Sequence, residues 1–426
     1  MMTGHRNLVL GLVYLRAVRQ ADWANLAEYG NLTPKVLVGW LESVAPGLHQ
    51  VLREVHFAGP WQRLFGQLVR VVDQAVSARG GMEVYRFLLD WFSSMDGRRG
   101  GEFYTPRSLV RVLVEAVAPG PGARIHDPCC GSGEMLVAAA VHASRDGGEI
   151  PPVSGLTWTA ELSEVARMNL AVHGVAGDVT PATGQALGGW LSETGPFDVI
   201  VTNPPFNMSL WKDQDTAYSR DWRYGPPPTH NANFAWLQHV ALSLAPGGRA
   251  AVLMPNSASA SESLRERDIR TGLVEDGRVE AVIALPSHLF YSTGIPATVW
   301  LLGRPTSARD EILFIDASGS GRLVDRTHRI LTDEDVAAIA DSVDRWRHEE
   351  RGYGEGSGFS RSVPLEEVRE HDYVLNPKKY LSTLPESVEG SGADRLHELR
   401  RQLERLRLQA VEVDASVDRE LRRVGL

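Results

Sequence analysis

Residues 197–206 read Phe197-Asp198-Val199-Ile200-Val201-Thr202-Asn203-Pro204-Pro205-Phe206. Val199-Ile200-Val201 is an apolar run of the length of a buried strand. Asn203-Pro204-Pro205 stops it, because two successive prolines have no N–H to give to a sheet ladder. The residue before a proline is pushed to extended geometry. Asn203 is therefore expected at the carboxyl end of a strand, where ligands sit in an open α/β sheet. An amide oxygen and a stiff neighbouring carbonyl form a pair of acceptors suited to an exocyclic NH2 group, which has two hydrogens to donate. The aromatic Phe206 beside them suits a planar heterocycle taken out of its stack. Taken alone, the stretch also reads as a strand running into an ordinary turn, since Asn-Pro opens turns. The rest of the chain decides between these.

Upstream, Ala123 to Asp127 reads as a short strand. It feeds Pro128-Cys129-Cys130-Gly131-Ser132-Gly133-Glu134 and then an apolar helix from Met135 to Val141. Strand, Gly-rich turn, helix is a geometry for close backbone approach to a ligand. It has two glycines rather than the three of a dinucleotide fingerprint, and no Lys-Ser/Thr follows as in a P-loop. Asp127 at the strand end would repel a pyrophosphate and suits a cationic or hydroxylated cofactor. A second strand, Gly155 to Thr159, ends at Ala160-Glu161. In doubly wound folds an acid at that place binds a ribose diol; the plainer reading is a helix-start acid favoured by the dipole. Further upstream, Glu102-Phe103-Tyr104-Thr105-Pro106-Arg107 leads into a helix of Leu109, Val110, Leu113, Val114 and Val117, with Thr105 as its cap and Pro106 in its first turn.

Downstream, residues 207–232 are polar and Pro-rich, with Trp211, Lys212, Arg220, Trp222, Arg223 and His230. Aromatics interleaved with basic groups suit a nucleic-acid contact, or a solvated flap. A helix from Ala232 to Leu244 and another over 261–275 alternate with strands at Arg249 to Met254, Arg278 to Leu285, Thr298 to Leu302 and Glu311 to Phe314. No crossover helix pattern separates 278–285 from 298–302, which favours antiparallel neighbours at one edge. Residues 346–362 read as a loop.

The flanks read as helical. Leu8, Leu12 and Leu15 form one stripe, Leu37, Trp40, Leu41 and Val44 a second, and Val84, Phe87, Leu88, Trp91 and Phe92 a third, all read as core. At the other end Leu396, Leu399, Leu403, Leu406, Ala410, Val413 and Val417 step by three and four along one charged helix, Ala393 to Val424. Three domains are expected: 1–95 helical, 96–330 catalytic, and 331–426 an extension ending in a long helix that docks on the chain's own body or on a partner.

The 426 residues carry a net charge of −9, which argues against gripping nucleic acid alone through a broad basic face. The two cysteines are adjacent and cannot staple distant segments, so a reducing, cytoplasmic setting is expected. No Cys/His zinc spacing or HExxH occurs, so no metal is expected. The apolar stretch Asn7 to Leu15 is too short to span a bilayer and reads as a core helix, so no membrane partner is expected.

In order along the chain, EFYTP (102–106), DPCCGSG (127–133), Glu161 and NPPF (203–206) resemble the amino-group DNA methyltransferases. GEFYTPRSLV, RMNLAVHGV, NANFAWLQH, LAPGGRAAVLMPN and GRVEAVIALPSHLFYSTGIPA resemble, in more detail, the modification subunits of type I restriction-modification systems, over about residues 80–380. The resemblance implies an α/β fold, a seven-stranded S-adenosylmethionine-dependent methyltransferase sheet with an N-terminal helical domain and a C-terminal helical tail. It implies methyl transfer from S-adenosylmethionine to N6 of an adenine flipped from duplex DNA. The catalytic residues would be Asn203, Pro204, Pro205 and Phe206. The cofactor would be held by Glu102, Phe103, Tyr104, Thr105, Pro106 and Arg107, by Asp127, Pro128, Cys130, Gly131, Ser132, Gly133 and Glu134, and by Glu161 and Gln185. Gln185 stands where the family usually has an acid for the cofactor adenine, and Asp178 is a second candidate. The implied partners are a DNA-reading specificity subunit, a restriction subunit and a second copy of the chain within a larger complex. Two other readings remain open: transfer to another NH2 group, on RNA adenine or protein glutamine, and a catalytically degenerate structural subunit.

Overall fold

The computed structural model describes residues 2–28, 39, 61–96, 104–182, 195–209, 222–291, 293–304, 310–325, 328–348, 358–381 and 400. Met1–Leu381 forms one compact unit and Ser382–Leu426 another. Of the second, Arg400 alone is described, so the seam Leu396–Val417 lies outside the described residues, as does the stripe Leu37–Val44.

Among the described residues, nine strands make one mixed sheet. In chain order they are β1 (Ile125–Asp127), β2 (Val153–Thr157), β3 (Gly177–Pro181), β4 (Phe197–Thr202), β5 (Leu244–Pro255), β6 (Val279–Ala284), β7 (Ala297–Gly303), β8 (Glu311–Asp316) and, as the ninth, a strand at Ser360–Pro364. Two further short strands, β9 (Arg322–Leu323) and β10 (Arg329–Ile330), form a separate ribbon, so the ninth sheet strand is β11. The spatial order is β11-β8-β6-β7-β5-β4-β1-β2-β3. β3, β2, β1, β4 and β5 run parallel. β7 is antiparallel to both β5 and β6; the pairing with β6 is the one expected from the missing crossover helix, but the pair lies inside the sheet and not at its edge. The sheet is thus the expected seven strands extended by β8 and β11. Because β2 and β3 lie to one side of β1 and β4 and β5 to the other, the order reverses between β1 and β4, where an open α/β sheet has its crevice.

Helices cover the sheet. They are α1 (Met2–Val18), α2 (Gln20–Glu28), α3 (Trp61–Arg79), α4 (Gly81–Asp96), α5 (Arg107–Val117), α6 (Glu134–Ala143), α7 (Ala160–Val172), α8 (Asn233–Leu242), α9 (Leu264–Glu275), α10 (Asp333–His348), α11 (Leu365–Glu370) and α12 (Pro377–Leu381). One apolar layer joins α5, α6 and α10 to the sheet, and the other joins α8, α9, α11 and α12 to its opposite face. A third core is shared by α1–α4 and the outer side of α7, through Val165, Met168 and Val172. Leu8, Leu10, Leu12, Val13 and Leu15 of α1 are fully buried there, each contributing ~1.5–3 kcal/mol. The nearby Arg6–Glu161 ion pair is partly exposed; such pairs add at most about 1 kcal/mol, so apolar burial holds α1 in place.

Three expectations change. The boundary at 330 is absent from the packing: Leu331, Val336, Ile339, Val343 and Trp346 join the core beneath the sheet, and β11 pairs with β8. The loop expected over 346–362 contains β11, whose Ser-Arg-Ser-Val-Pro sequence is polar and ends in proline, as an edge strand can. The stripe on α4 is rotated: Val84, Tyr85 and Leu89 are buried, whereas Phe87 is 62% and Trp91 48% exposed. Among the described residues no helix is long and apolar enough to cross a membrane.

Candidate active site

β4 lies between β1 and β5 and is buried over nearly its whole length. It ends at Asn203, as the two prolines require. The Asn203 Nδ2 amide donates to Thr105 Oγ1 at 3.0 Å. Its N–H side is thereby engaged, which leaves Oδ1 as the free acceptor face of the side chain. Thr105 does not cap α5. The cap residue is Pro106, with φ −53° and ψ 140°, and no side-chain cap bond forms. The hydroxyl expected to start a helix orients the Asn203 amide instead. Thr105→Val should therefore lower turnover about tenfold, the loss of one neutral hydrogen bond in a buried site, with cofactor affinity unchanged; steady-state kinetics alongside calorimetry reads both.

Phe206 is half-buried and meets Phe290 edge-on, with centroids 5.9 Å apart and planes at 86°. The backbone then turns through Asn207 at φ 53°. Asn207 N–H donates to Asn233 Oδ1 at 3.0 Å and Asn233 Nδ2 donates to Asn207 Oδ1 at 2.9 Å. Ala232 N–H reaches the Met208 carbonyl at 3.1 Å. On the other side of the segment Tyr224 is anchored: its hydroxyl donates to Asp276 at 2.6 Å and its N–H donates to Gln238 at 3.1 Å. The base of the 207–232 segment is thus stapled on both sides. Trp211, Lys212 and Arg220 lie outside the described residues.

At the end of β1 the chain bends through Gly131 (φ 51°) and Gly133 (φ 79°). A Cβ on Gly133 would sit 3.3 Å from the Ala166 Cβ of α7, so bend and helix pack closely. Asp127 is fully buried and accepts the Cys129 N–H at 2.9 Å. Burial pushes its pKa up to about 7, against the Cys129 N–H and the Thr202 hydroxyl. Burial also raises both cysteine thiols, which makes them poor nucleophiles. His126 stacks on Phe197 at 4.1 Å, and burial lowers it to about 4, so it stands neutral beneath the bend.

The Asn203 corner and the glycine bend open onto one cavity of about 330 Å³. Thr105, Cys129 to Ser132, Glu134, Met135, Trp158, Thr159, Asn203, Pro205 and Met208 line it. Of the residues singled out in the sequence, Thr105, Cys130, Gly131, Ser132, Glu134, Asn203 and Pro205 therefore come together. Pro128, Asp127, Pro204 and Phe206 adjoin these without forming the wall. Tyr104 packs against the helical core with its hydroxyl buried. Arg107 is exposed and pairs with Asp90 of α4 at 3.1 Å. Glu102, Phe103 and Gln185 lie outside the described residues.

Glu161 is not on the cavity wall. β2 ends at Thr157, and Glu161 sits in the first turn of α7. Its Oε1 accepts the side-chain amide of the buried Asn7 and lies 3.4 Å from Arg6 Nη2. Asp178 is at the start of β3, in register with Ser154, and so at the amino end of the strands, away from the cavity. Trp158, Met135 and Met208 escaped the sequence reading; Trp158 follows directly on β2, and that position was the available signal.

The family model for the N-6 DNA methylases matches residues 81–389. The chain is 32% identical over 387 residues to the type I restriction enzyme HindI methylase subunit of Haemophilus influenzae, covering 90% of this chain and 86% of that protein. It is 32% identical over 312 residues to the MjaIX methylase subunit of Methanocaldococcus jannaschii, covering 70% of this chain and 55% of that longer protein. Among solved structures, the fold is similar to that of a type I restriction-modification methyltransferase subunit from Streptococcus thermophilus, with a TM-score of 0.69 at 22% identity, over 84% of this chain and 79% of the other.

Proposed function

The chain belongs to the N-6 DNA methylase family, and from that premise we propose that it is a site-specific DNA methyltransferase acting on N6 of adenine in duplex DNA, as the modification subunit of a type I-like restriction-modification or related defence system. The observation that carries this reading is the shared cavity: Asn203 and Pro205 at the end of β4 and Gly131 and Ser132 of the glycine bend line the same space. S-adenosylmethionine, when bound, supplies an electrophilic methyl group there. The residues fit such a group. The bend lets backbone approach closely, Trp158 offers a ring for a purine, and Glu134 is a carboxylate for a cation.

In this reading Asn203 Oδ1 and the Pro204 carbonyl accept the two hydrogens of the target NH2 group. That pairing fixes the nitrogen and turns its lone pair into the cavity. Transfer of the methyl, with the electrons of its carbon–sulfur bond left on the departing thioether, would give N6 a fourth bond, and one of its two hydrogens, thereby made acidic, would pass as a proton to water. Phe206, braced by Phe290, offers its face to the flipped base, worth ~1–3 kcal/mol. Orientation of this kind supplies up to ~7–11 kcal/mol of a barrier. Thr105 acts on the same step at one remove, by holding the amide.

Sequence reading of the DNA falls, in this proposal, to a separate specificity subunit. The net charge of −9 supports that division, since a chain without excess basic charge has little counterion release to gain on a phosphate backbone. The isolated chain should bind duplex DNA weakly and methylate it poorly, with activity appearing when a DNA-reading partner is added. Transfer of radiolabelled methyl to duplex DNA, RNA and protein extract, with and without that partner, tests this. Label appearing chiefly in RNA or protein would move the chain to another NH2 substrate. The engagement of Glu161 by α1 favours one alternative, a structural subunit that holds no cofactor. Absence of S-adenosylmethionine binding by calorimetry, with and without partner, would support it.

A further inference from the structure

Glu134 opens α6 directly after the Gly133 bend, and among the described residues lining the cavity it is the one carboxylate. Two other acids stand near this end of the sheet, and neither lines the cavity. Asp127 lies below the bend, where one oxygen accepts the Cys129 N–H and the other has no hydrogen-bond partner among the described residues, and Glu161 is taken by Asn7 and Arg6. Glu134 itself receives one long hydrogen bond, from Asn169 Nδ2 of α7 at 3.5 Å, and the same amide makes a shorter bond to the Ser132 carbonyl at 2.9 Å. No ion pair reaches it among the described residues. The charged groups facing it come from two elements. α4 contributes Asp90 and Arg86, and α5 contributes Arg107. Arg107 is bound to Asp90 at 3.1 Å, and Arg86 lies 3.3 Å from His173 Nε2. The buried Tyr85 of α4, whose hydroxyl donates to the Val165 carbonyl, is the remaining titratable neighbour. The site therefore presents a packed carboxylate with nearly all of its acceptor capacity unused.

We propose that the Glu134 carboxylate is the counter-ion of the cofactor's α-ammonium group. This rests on the reading above that S-adenosylmethionine occupies the cavity. The ammonium is the fitting cation because an under-bonded carboxylate needs N–H donors, and an ammonium brings three. The sulfonium brings none, and its methyl has to face Asn203 in that reading.

The electrostatics supply a signature. Burial and the Asp90 carboxylate raise Glu134 to about 7, against Arg86, Arg107 and Asn169. An ammonium binds the ionised form, so below about pH 7 each unit of acidification should weaken cofactor binding by up to about tenfold. Affinity should level off above pH 7. It should fall again as the ammonium loses its own proton, near ~8 for an α-amino group.

Calorimetry with S-adenosylmethionine and S-adenosylhomocysteine between pH 5.5 and 8 tests this on the full chain. Glu134→Gln should weaken both compounds by about tenfold or more at pH 7.5, the scale of a lost charge-assisted hydrogen bond, and should flatten the rise with pH. Glu134→Asp keeps the charge and should keep the rise, with weaker binding. Thermal unfolding of each variant establishes that it is folded. If the wild-type chain binds neither compound, the cofactor reading itself fails. If it binds both and Glu134→Gln binds as tightly, the counter-ion assignment alone is overturned. A rise with pH that persists in Glu134→Gln assigns the titration to Asp127 and overturns it too. A loss confined to S-adenosylmethionine moves the charge contact to the sulfonium and likewise overturns the ammonium assignment.

Discussion

Asn203→Ala is expected to lower methyl transfer to duplex DNA by ~10³-fold while changing the dissociation constant of S-adenosylmethionine less than ~threefold. The size follows from what alanine removes. One of the two acceptors that orient the target nitrogen disappears, and with it the hydrogen bond to Thr105. Losing a single preorganised group of this kind costs ~10²–10³ in turnover, and loss of alignment adds to it. The side chain stands at the end of β4, whereas the glycine bend belongs to β1, so the cofactor end of the cavity should keep its shape. The fold should survive, because Asn203 is only half-buried and the strand before it is held by Val199, Ile200 and Val201. Single-turnover assays in the assembled complex, with calorimetry for the cofactor, separate the outcomes. Equal loss of binding and turnover would mean that Asn203 helps to build the cofactor pocket and does not act on the base.

Gly133→Val should have the complementary effect, weakening cofactor binding by about tenfold or more and turnover by roughly 10²-fold, the scale of an ~1 Å misplacement. Gly133 stands at φ 79°, where a β-branched residue is an outlier. Its Cβ would press on Ala166 of α7 at 3.3 Å. The bend must move, and Ser132 and Glu134 move with it. Gly147→Val is the control. Gly147 has φ 83° and nothing within 4 Å of its Cβ, so it carries the same backbone strain of ~1–3 kcal/mol away from the cavity. Both variants should melt a few degrees lower, and Gly133→Val alone should lose the cofactor. If the two lose affinity alike, global destabilisation is the cause and the bend has no special part.

Local chemistry made the centre of this fold legible. Two prolines end β4 wherever the strand lies, and glycines that adopt positive φ mark the bend after β1. Those constraints act within a few residues and are written there. What escaped depends on partners far along the chain. Thr105 has the local appearance of a helix cap, but its partner is 98 residues away, at Asn203. Glu161 sits where a ribose acid is looked for, and nothing near it in sequence announces that α1 brings Asn7 and Arg6 to it across 154 and 155 residues. Hydrophobic spacing on α4 marks a helix without saying which face is covered, and Phe87 and Trp91 turned outward while Tyr85 turned in. β11 is an edge strand whose pairing with β8 depends on a backbone neighbour and not on its own polar side chains.

The core that α1–α4 share with α7 bears on how this architecture can be taken apart. Val165, Met168 and Val172 are roofed by leucines from the beginning of the chain, while the other side of the same helix holds Ala166 against the glycine bend. One helix is thus both the floor of the leading bundle and the backing of the glycine bend. A cut near residue 95 follows a joint in the polypeptide and no joint in the solid, and it would strip the cover from Val165, Met168 and Val172.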